Sequence, residues 1–580
     1  MAARITFGRF SFDPDAYELR RGTRLIKMER LPMELLLLLL SRRGSVVSRS
    51  EIVERLWGKD VYLDVESSVN TVVRKLRRAL GDTAENPKFV LTLPGRGYRF
   101  APLEDDLPQV RSQPLVVAVL PFENLSNDPA QDYLCDGMTE ETIACLGTTS
   151  PDELAVIART SAMRYRKTAK SIRQIGKELK VDYILESSIR REANRVRVTT
   201  QLIGVKDQIH HWAHSYDRDA TSLIGLQTEL GRDIAEQIKA KLPPPSHVRK
   251  QTLNPEAFDL YLKGRFQFAA RTGEAITAAI RYYEQALAID PSYSLAKAGL
   301  ADAYATLPIT SDWRTSECRE KGMPAAQQAV VGNEYSVEAH TSLAACRFWL
   351  TDDWEGAIHE AQRAIELNPS YALAHFYLAH TYSNLGQHDE AEQAIQRALA
   401  LDPFSVHLHA IHGQLLFQAG RYDDAARAAC SACELNPNAW LGHLILGKTL
   451  LHAGDYDQAA LAFETSFERS GGNTESRSLQ VFALAKSGHR EEALAIVREL
   501  EQLARKQYVP PYNLAMALNG LNRPEEAFTM LQRAAQEEDA RLKFLALDPK
   551  WEEMNRQPRV RALWLKPQRK QFAKHWMPHD

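Results

Sequence analysis

A step of 34 residues runs through the C-terminal half of this chain. Ala357, Ala391, Ala425, Ala459, Ala493 and Ala527 keep it without a miss, and so do Gly386, Gly420, Gly454 and Gly488. Asn368-Pro369, Asp402-Pro403 and Asn436-Pro437 follow the same step, and Asp290-Pro291 marks an earlier unit. Each unit reads as helix, turn, helix. One such unit cannot bury its apolar face alone, so the units must stack on one another. The step predicts about eight units from Pro255 to about Ala540, the second lengthened by roughly ten residues around Ser311–Lys321. Gly447 holds the small position of its unit, whereas the unit from Thr474 puts Val481 there and is less regular. Leu545–Lys566 reads as a capping helix, followed by a basic tail over 567–580.

With Leu378-Ala379, Tyr382, Ala391, Ala398 and Pro403 in one unit, the repeat resembles the tetratricopeptide repeat. The resemblance implies an all-α superhelix over 255–566, cap included, whose concave face takes a protein or peptide partner. His375, His409 and His443 recur in phase, with His340 one residue off the step. Equivalent positions in successive repeats lie roughly 10 Å apart, too far for one ion to be shared. Cys430 and Cys433 form a lone Cys-x-x-Cys with no second pair nearby, and small thiols pack well at helix crossings. No metal or cofactor is expected.

The chain has 580 residues, more than one core supports, so several domains are expected. The longest apolar runs, Leu35–Leu40 and Leu115–Leu120, are far short of a membrane span. The first residues lack the apolar core of a signal peptide. Six scattered cysteines suit a reducing compartment, so a cytoplasmic protein without membrane contact is expected. A net charge of −2 hides a split. Residues 1–104 carry 19 Lys+Arg against 13 Asp+Glu, and the remainder 53 against 61. A basic head on an acidic body fits a nucleic-acid reader with a separate partner surface.

Within that head, short alternating runs (Ile5–Phe12, Tyr17–Ile26) predict a small sheet. A helix is predicted from Pro32 through the leucine run, and a second from the capping box Ser48…Glu51 to Trp57. A third is predicted over Ser67–Leu80. At 100° per residue, Val69, Val72, Val73, Leu76 and Leu80 share one arc, and Asn70, Thr71, Arg74, Lys75 and Arg78 lie opposite. Polar side chains near the start of such a face can reach base edges, and the cations can take phosphates or guanine. On charge alone, a merely solvated basic face is the commoner case. A short strand, Phe89–Leu93, and Gly95-Arg-Gly-Tyr-Arg-Phe100 then form a hairpin with Arg96 near its tip.

The order of parts resembles the OmpR/PhoB-type winged-helix DNA-binding domain over residues 4–101. It does so through Leu35–Leu39, Gly44–Arg49, Glu51–Gly58, Ser68–Asp82 and Gly95–Phe100. The resemblance implies that Ser67–Leu80 is the recognition helix, with Ser67, Ser68, Asn70, Thr71, Arg74, Lys75 and Arg78 toward double-stranded DNA. It also implies that Arg96 in the wing reaches the minor groove, and that the 58–64 loop, with Lys59, Asp60 and Asp64, corresponds to a segment that touches RNA polymerase in some relatives. Met28–Met33 departs from the usual start of the first helix, a change expected to affect local packing and not DNA binding. The domain begins at residue 4, so no receiver domain is expected ahead of it, in contrast to many phosphorelay relatives.

Residues 105–114 read as a linker, and 242–254, with Pro243-Pro-Pro245, as a stiffer one. Between them, 115–241 alternate strands and helices, predicting a mixed α/β layer. Val119–Ser126, Tyr183–Arg190 and Val196–Ile203 resemble the TolB N-terminal-like domain. Such a domain could dimerise the chain, bind a small ligand or pack between its neighbours. Asp136, Glu140 and Glu141 gather acids near a predicted helix start, but no base, nucleophile or metal set accompanies them. His210 and His214 share a strand face with Cβ atoms roughly 13 Å apart, too far for one ion. No phosphate-binding loop occurs.

The expectation is therefore a multidomain bacterial one-component transcriptional regulator and not an enzyme: an α+β winged-helix head, a mixed α/β middle domain and an all-α repeat array that serves as sensor or docking body for a protein or ligand partner, with the switch in the middle domain or on the repeats. The rival is an interaction scaffold whose head no longer reads DNA.

Overall fold

The computed structural model describes residues 5–564 except short segments of the head (8–9, 14–15, 22–23, 43–45, 59–64, 84–86, 94–95), the stretches 101–113, 220–225 and 238–250, and positions 127, 150, 152, 193–194, 251 and 253. Most of both expected linkers lies outside these residues. The chain divides into two compact units, Met1–Gln113 and Pro114–Asp580.

In the first unit, β1 (Ile5–Phe7), β2 (Phe10–Asp13), β3 (Glu18–Arg21) and β4 (Arg24–Ile26) form an antiparallel sheet in chain order. Phe12 sits opposite Leu19, and both are buried. Helix α1 (Arg30–Ser41) begins two residues before the expected Pro32. The first four helical N–H groups have no intrahelical partner, so proline at the third position costs no bond. Ser48 and Glu51 close their capping box at 3.2 and 3.3 Å and open α2 (Arg49–Trp57). Helix α3 spans Val65–Leu80, and the hairpin is β5 (Val90–Leu93) with β6 (Gly97–Phe100). The arc Val69, Val72, Val73, Leu76 and Leu80 is buried in one core with Leu35, Leu36, Leu39 and Phe100.

The second unit starts with a mixed sheet. Its strands are β7 (Leu115–Val119), β8 (Glu123–Asn124), β9 (Leu154–Val156), β10 (Tyr183–Glu192), β11 (Arg195–Gly204) and β12 (His210–Asp219). The order is β12-β11-β10-β7-β9, with β8 also on β10. β7 runs parallel to β9 and β10, and the long β10–β11–β12 meander is antiparallel. Around it lie α4 (Asp132–Thr149), α5 (Arg159–Met163), α6 (Ile172–Leu179) and α7 (Leu226–Gln237).

Sixteen helices follow as eight antiparallel pairs: α8 (Pro255–Phe268), α9 (Gly273–Ile289), α10 (Ser294–Thr310), α11 (Thr315–Gly332), α12 (Val337–Leu350), α13 (Trp354–Leu367), α14 (Ala372–Asn384), α15 (His388–Leu401), α16 (Val406–Gln418), α17 (Tyr422–Leu435), α18 (Trp440–Ala453), α19 (Tyr456–Ser470), α20 (Thr474–Lys486), α21 (Arg490–Ala504), α22 (Pro511–Gly520) and α23 (Pro524–Gln536). The 34-step alanines are all buried, each near the start of its unit's second helix. Gly386, Gly420, Gly454 and Gly488 take φ between 75° and 90°, the left-handed conformation that ends each first helix. His375, His409 and His443 each donate Nε2–H to the carbonyl of the proline six residues earlier, at 2.8–2.9 Å. His340 does the same to Glu334, so these histidines brace the turns between repeats.

First helices are buried on nearly every side. Along α12, Glu338, His340, Thr341 and Ser342 are as enclosed as Leu343. Second helices such as α15 bury a single stripe. The expected capping helix over 545–566 is a correction. Pro549 and Pro558 interrupt it, leaving a 3-10 turn at Pro549–Trp551 and the short helices α24 (Glu552–Asn555) and α25 (Pro558–Trp564); a further 3-10 turn, Ala540–Phe544, precedes them.

The middle sheet and the repeats share one core, in which Val117 and Leu185 of the sheet belong to the same cluster as Tyr261, Tyr283 and Phe376. Polar ties reinforce the join. Ala158 N–H donates to Leu401 O at 2.8 Å, and Ser161 gives both its N–H and Oγ–H to Asp402 at 2.9 and 2.5 Å. Gly137 and Gly147 of α4 leave room for Leu262 and Asn368, which a methyl group would strike below 3.0 Å.

Candidate nucleic-acid interface

Helix α3 presents Asn70, Arg74, Lys75 and Arg78 to solvent, while Ser68 and Thr71 are half-buried. Ser67 lies within the helix, but its side chain is outside what the structure describes. Arg74 and Arg78 are one turn apart on one face, and neither has an ion pair among the described residues. Lys75 does have one, from Nζ to Glu29 Oε2 at 2.6 Å, with both groups well exposed. Arg96 is exposed in the turn between β5 and β6. Lys59, Asp60 and Asp64 lie outside the described residues.

Asn70 is more committed than its exposure suggests. Its Oδ1 accepts from the Tyr98 hydroxyl at 2.8 Å and from Arg49 Nη2 at 3.3 Å, and Arg49 also reaches the Tyr98 hydroxyl. Both lone pairs of the oxygen are thus engaged, and Nδ2 is the atom left to donate to a base acceptor. Asn70 therefore ties together helix α3, the start of α2 and the wing.

Two further residues brace this surface. Arg77, next to the exposed Arg78, turns inward and donates Nη2–H to Val90 O at 2.6 Å and to Thr92 Oγ1 at 2.9 Å. Asp82, buried just past the helix end, accepts the backbone N–H groups of Thr83, Lys88, Phe89 and Val90 at 2.6–3.0 Å. Gly97 has a φ of 135°, and a Cβ there would lie 2.1 Å from Val47 O. That close approach is where Val47 bridges Tyr98 and holds the hairpin to the helices. Sequence reasoning missed Arg49, Arg77 and Asp82 as site supports. Arg77 was readable: it stands four residues after Val73 and three before Leu80, on the inward arc. Arg49 was readable too, as a cation in a first turn where the helix dipole disfavours one.

Asp136 is buried between Arg159, at 3.0 Å, and Arg166, so its charge is already matched. Among the described residues no group of three or more His, Cys, Asp or Glu could hold a metal ion, and no helix is long and apolar enough to cross a membrane.

Comparison with known proteins agrees with this layout. Residues 22–100 match the family model described as "Transcriptional regulatory protein, C terminal". Residues 112–231 match "HilA/YgeH-like transcriptional regulator, second domain". Residues 349–415 and 412–473 match two tetratricopeptide-repeat models. The chain is similar to a putative adenylate cyclase 3 of Rhizobium meliloti, 34% identical over 248 residues covering 42% of each chain. It is also similar to the transcriptional regulator HilA of Salmonella typhimurium, 24% identical over 313 residues covering 52% of this chain and 54% of that one. The chain thus spans about half the length of the curated relatives it matches. The solved RstA DNA-binding domain of Klebsiella pneumoniae is 26% identical and covers 17% of this chain and 98% of that one, with a TM-score of 0.16.

The head is a winged-helix DNA-binding domain of the OmpR/PhoB type. The polypeptide joins it to a HilA-like regulator domain and a tetratricopeptide-repeat array.

Proposed function

We propose that this chain is a one-component transcriptional regulator of the bacterial cytoplasm, reading duplex DNA through its head and a protein partner through its repeats. One observation carries the reading: a braced helix that offers Arg74 and Arg78 without an ion pair among the described residues, beside a wing that offers Arg96. Asn70, Thr71, Ser67 and Ser68 are assigned to base and backbone contacts near the helix start, with Lys75 able to exchange Glu29 for a phosphate. The domain boundaries follow the sequence reading: head 1–104, middle domain 115–241, array 255–566. The 58–64 loop, with Lys59, Asp60 and Asp64, is assigned to RNA polymerase by resemblance alone.

One relative is named a putative adenylate cyclase, so an enzymatic reading competes. The neutralised Asp136 cluster supports a regulator instead, and nucleotide turnover by the purified chain would overturn that choice.

The test is binding of the full chain to sheared genomic DNA over a range of salt. Arg74→Ala with Arg78→Ala should flatten the slope of log affinity against log salt by about two. An unchanged slope would remove α3 from the interface, and no salt-dependent retention by the parent chain would favour the scaffold reading.

A further inference from the structure

The repeats carry a segment of their own chain in a site suited to a foreign one. After α23 the backbone leaves the repeat pattern and forms the 3-10 turn Ala540–Phe544. That turn meets the second and third repeats, some 195–232 positions earlier. Arg541 is 2% exposed. Its Nη2 donates to Asp312 Oδ1 at 2.8 Å and to Ile309 O at 3.3 Å, its Nε lies 3.5 Å from Glu475 Oε2, and Asp539 is 3.9 Å away. Lys543 is buried as well. Its Nζ donates to Phe348 O and lies 3.5 Å from Trp349 O, over the rings of Phe348 and Trp349 at 4.7 and 5.5 Å. Phe544 packs on Trp349, and Ala540 N–H donates to Thr315 Oγ1 at 3.0 Å. At the margin, Arg314 and Arg319 pair with Glu537 and Glu538.

The receiving surface is cation-selective. It combines Asp312 and Glu475 with carbonyls from the C-terminal ends of α10 and α12, where helix dipoles favour positive charge. Two aromatic faces add cation–π attraction. Buried ion pairs are poor filling, because well-packed apolar residues would serve stability at least as well. The ionic design instead suits recognition of a particular cationic segment.

The polar interior extends beyond what this turn uses. His380 is 1% exposed and stacked among Phe348, Trp349 and Phe376, yet neither ring nitrogen finds a hydrogen-bond partner among the described residues. Asn384 Oδ1 and Gln418 Nε2, further along the first helices, are in the same state.

We propose that Ala540–Phe544 is a self-docked ligand, seated where the repeats take a basic–aromatic segment of a partner protein and displaced when that partner binds. This rests on the reading that the array binds a protein partner, and it adds the chemistry of that partner and the element that guards the site.

The test uses the full chain and a labelled peptide with the sequence of Glu537–Ala546. The variant Arg541→Ala with Lys543→Ala, its own segment disarmed, should bind the peptide. The parent chain should bind it at least about tenfold more weakly, since its competent state is only fractionally populated. A control peptide with glutamine for the arginine and lysine should bind neither. Equal binding by variant and parent, or none by a variant of unchanged helicity, overturns the proposal. Hydrogen exchange of the parent chain decides it without any variant. Amides 540–545 should exchange through an opening that leaves α20–α23 protected, and exchange only together with those helices overturns the proposal. DNA retention, read separately, distinguishes failure of this proposal from failure of the regulator reading.

Discussion

The head and the array use arginine in opposite ways. Arg74 and Arg78 stand in water on α3 without an internal ion pair among the described residues. Arg541 is buried against Asp312 and Glu475. A cation left in water costs the fold almost nothing and is available to an outside anion. A cation taken out of water must be matched, and it then belongs to the chain's own architecture. Arg77 shows both habits within one helix, because a single step along α3 turns it from the solvent face to the Val90 carbonyl.

Substitution at Arg541 should break this contrast most visibly. Arg541→Ala would leave Asp312 in the interior without its cation, while Glu475 keeps Lys448 at 2.9 Å, and should cost about 3–5 kcal/mol in denaturant unfolding of the full chain. Arg541→Met, combined with a neutral replacement at Asp312 and with the Glu475–Lys448 pair left in place, should cost much less. A small loss for the alanine variant alone would mean the buried charges are not coupled.

A second contrast lies within the array. Glu475 is disfavoured as an anion by burial, but Lys448 and Arg541 more than compensate and hold its carboxyl at about 2. Among the described residues no cation pairs with Asp402. Burial dominates the hydrogen bonds from Ser161 and pushes it up to about 6, from an ordinary value of 3.8. The signs are opposite. Glu475 stabilises the fold above its unfolded value of 4.5, and that contribution fades as pH falls toward 2. Asp402 in the fold holds its proton more tightly, so its contribution is full below 3.8 and is lost as pH rises through 6. The loss should be about 3 kcal/mol at most, centred on the join between middle sheet and repeats. Thermal melts between pH 4 and 7 should show it, and Asp402→Asn should flatten that part of the profile.

Asp82→Ala should remove about 2 kcal/mol from the head by leaving hairpin N–H groups without their acceptor. DNA affinity would fall with it, because α3 and the wing would no longer be held together. Smallest of all, Arg74→Ala with Arg78→Ala should leave the stability of the head within about 0.5 kcal/mol while flattening the salt dependence of DNA binding. A stability loss comparable to that of Asp82→Ala would mean that these arginines are structural after all.

Much of this was legible in the sequence because it is periodic or local. The 34-residue step placed the alanines at helix crossings, the Val/Leu arc of α3 went inward, and the Ser48–Glu51 box formed as read. The long-range parts were not legible. Nothing near Arg541 says that its carboxylate partner stands 229 positions earlier, in the lengthened second unit. The occupation of Asn70 Oδ1 was hidden for the same reason: Arg49 and Tyr98 reach it from two other elements. The interrupted C-terminal cap, by contrast, could have been read from Pro549 and Pro558.

The closure between Ala540–Phe544 and the second and third repeats has a consequence for how such a chain can change over time. An open stack of identical units tolerates gain or loss of one unit, since every interface resembles the next. A stack whose far end must return to Asp312 does not. Inserting or deleting 34 residues between α13 and α22 would turn and shift the returning segment, carrying Arg541 away from its carboxylates. The closing turn therefore acts as a gauge of repeat number, and makes an otherwise elastic array one of fixed length.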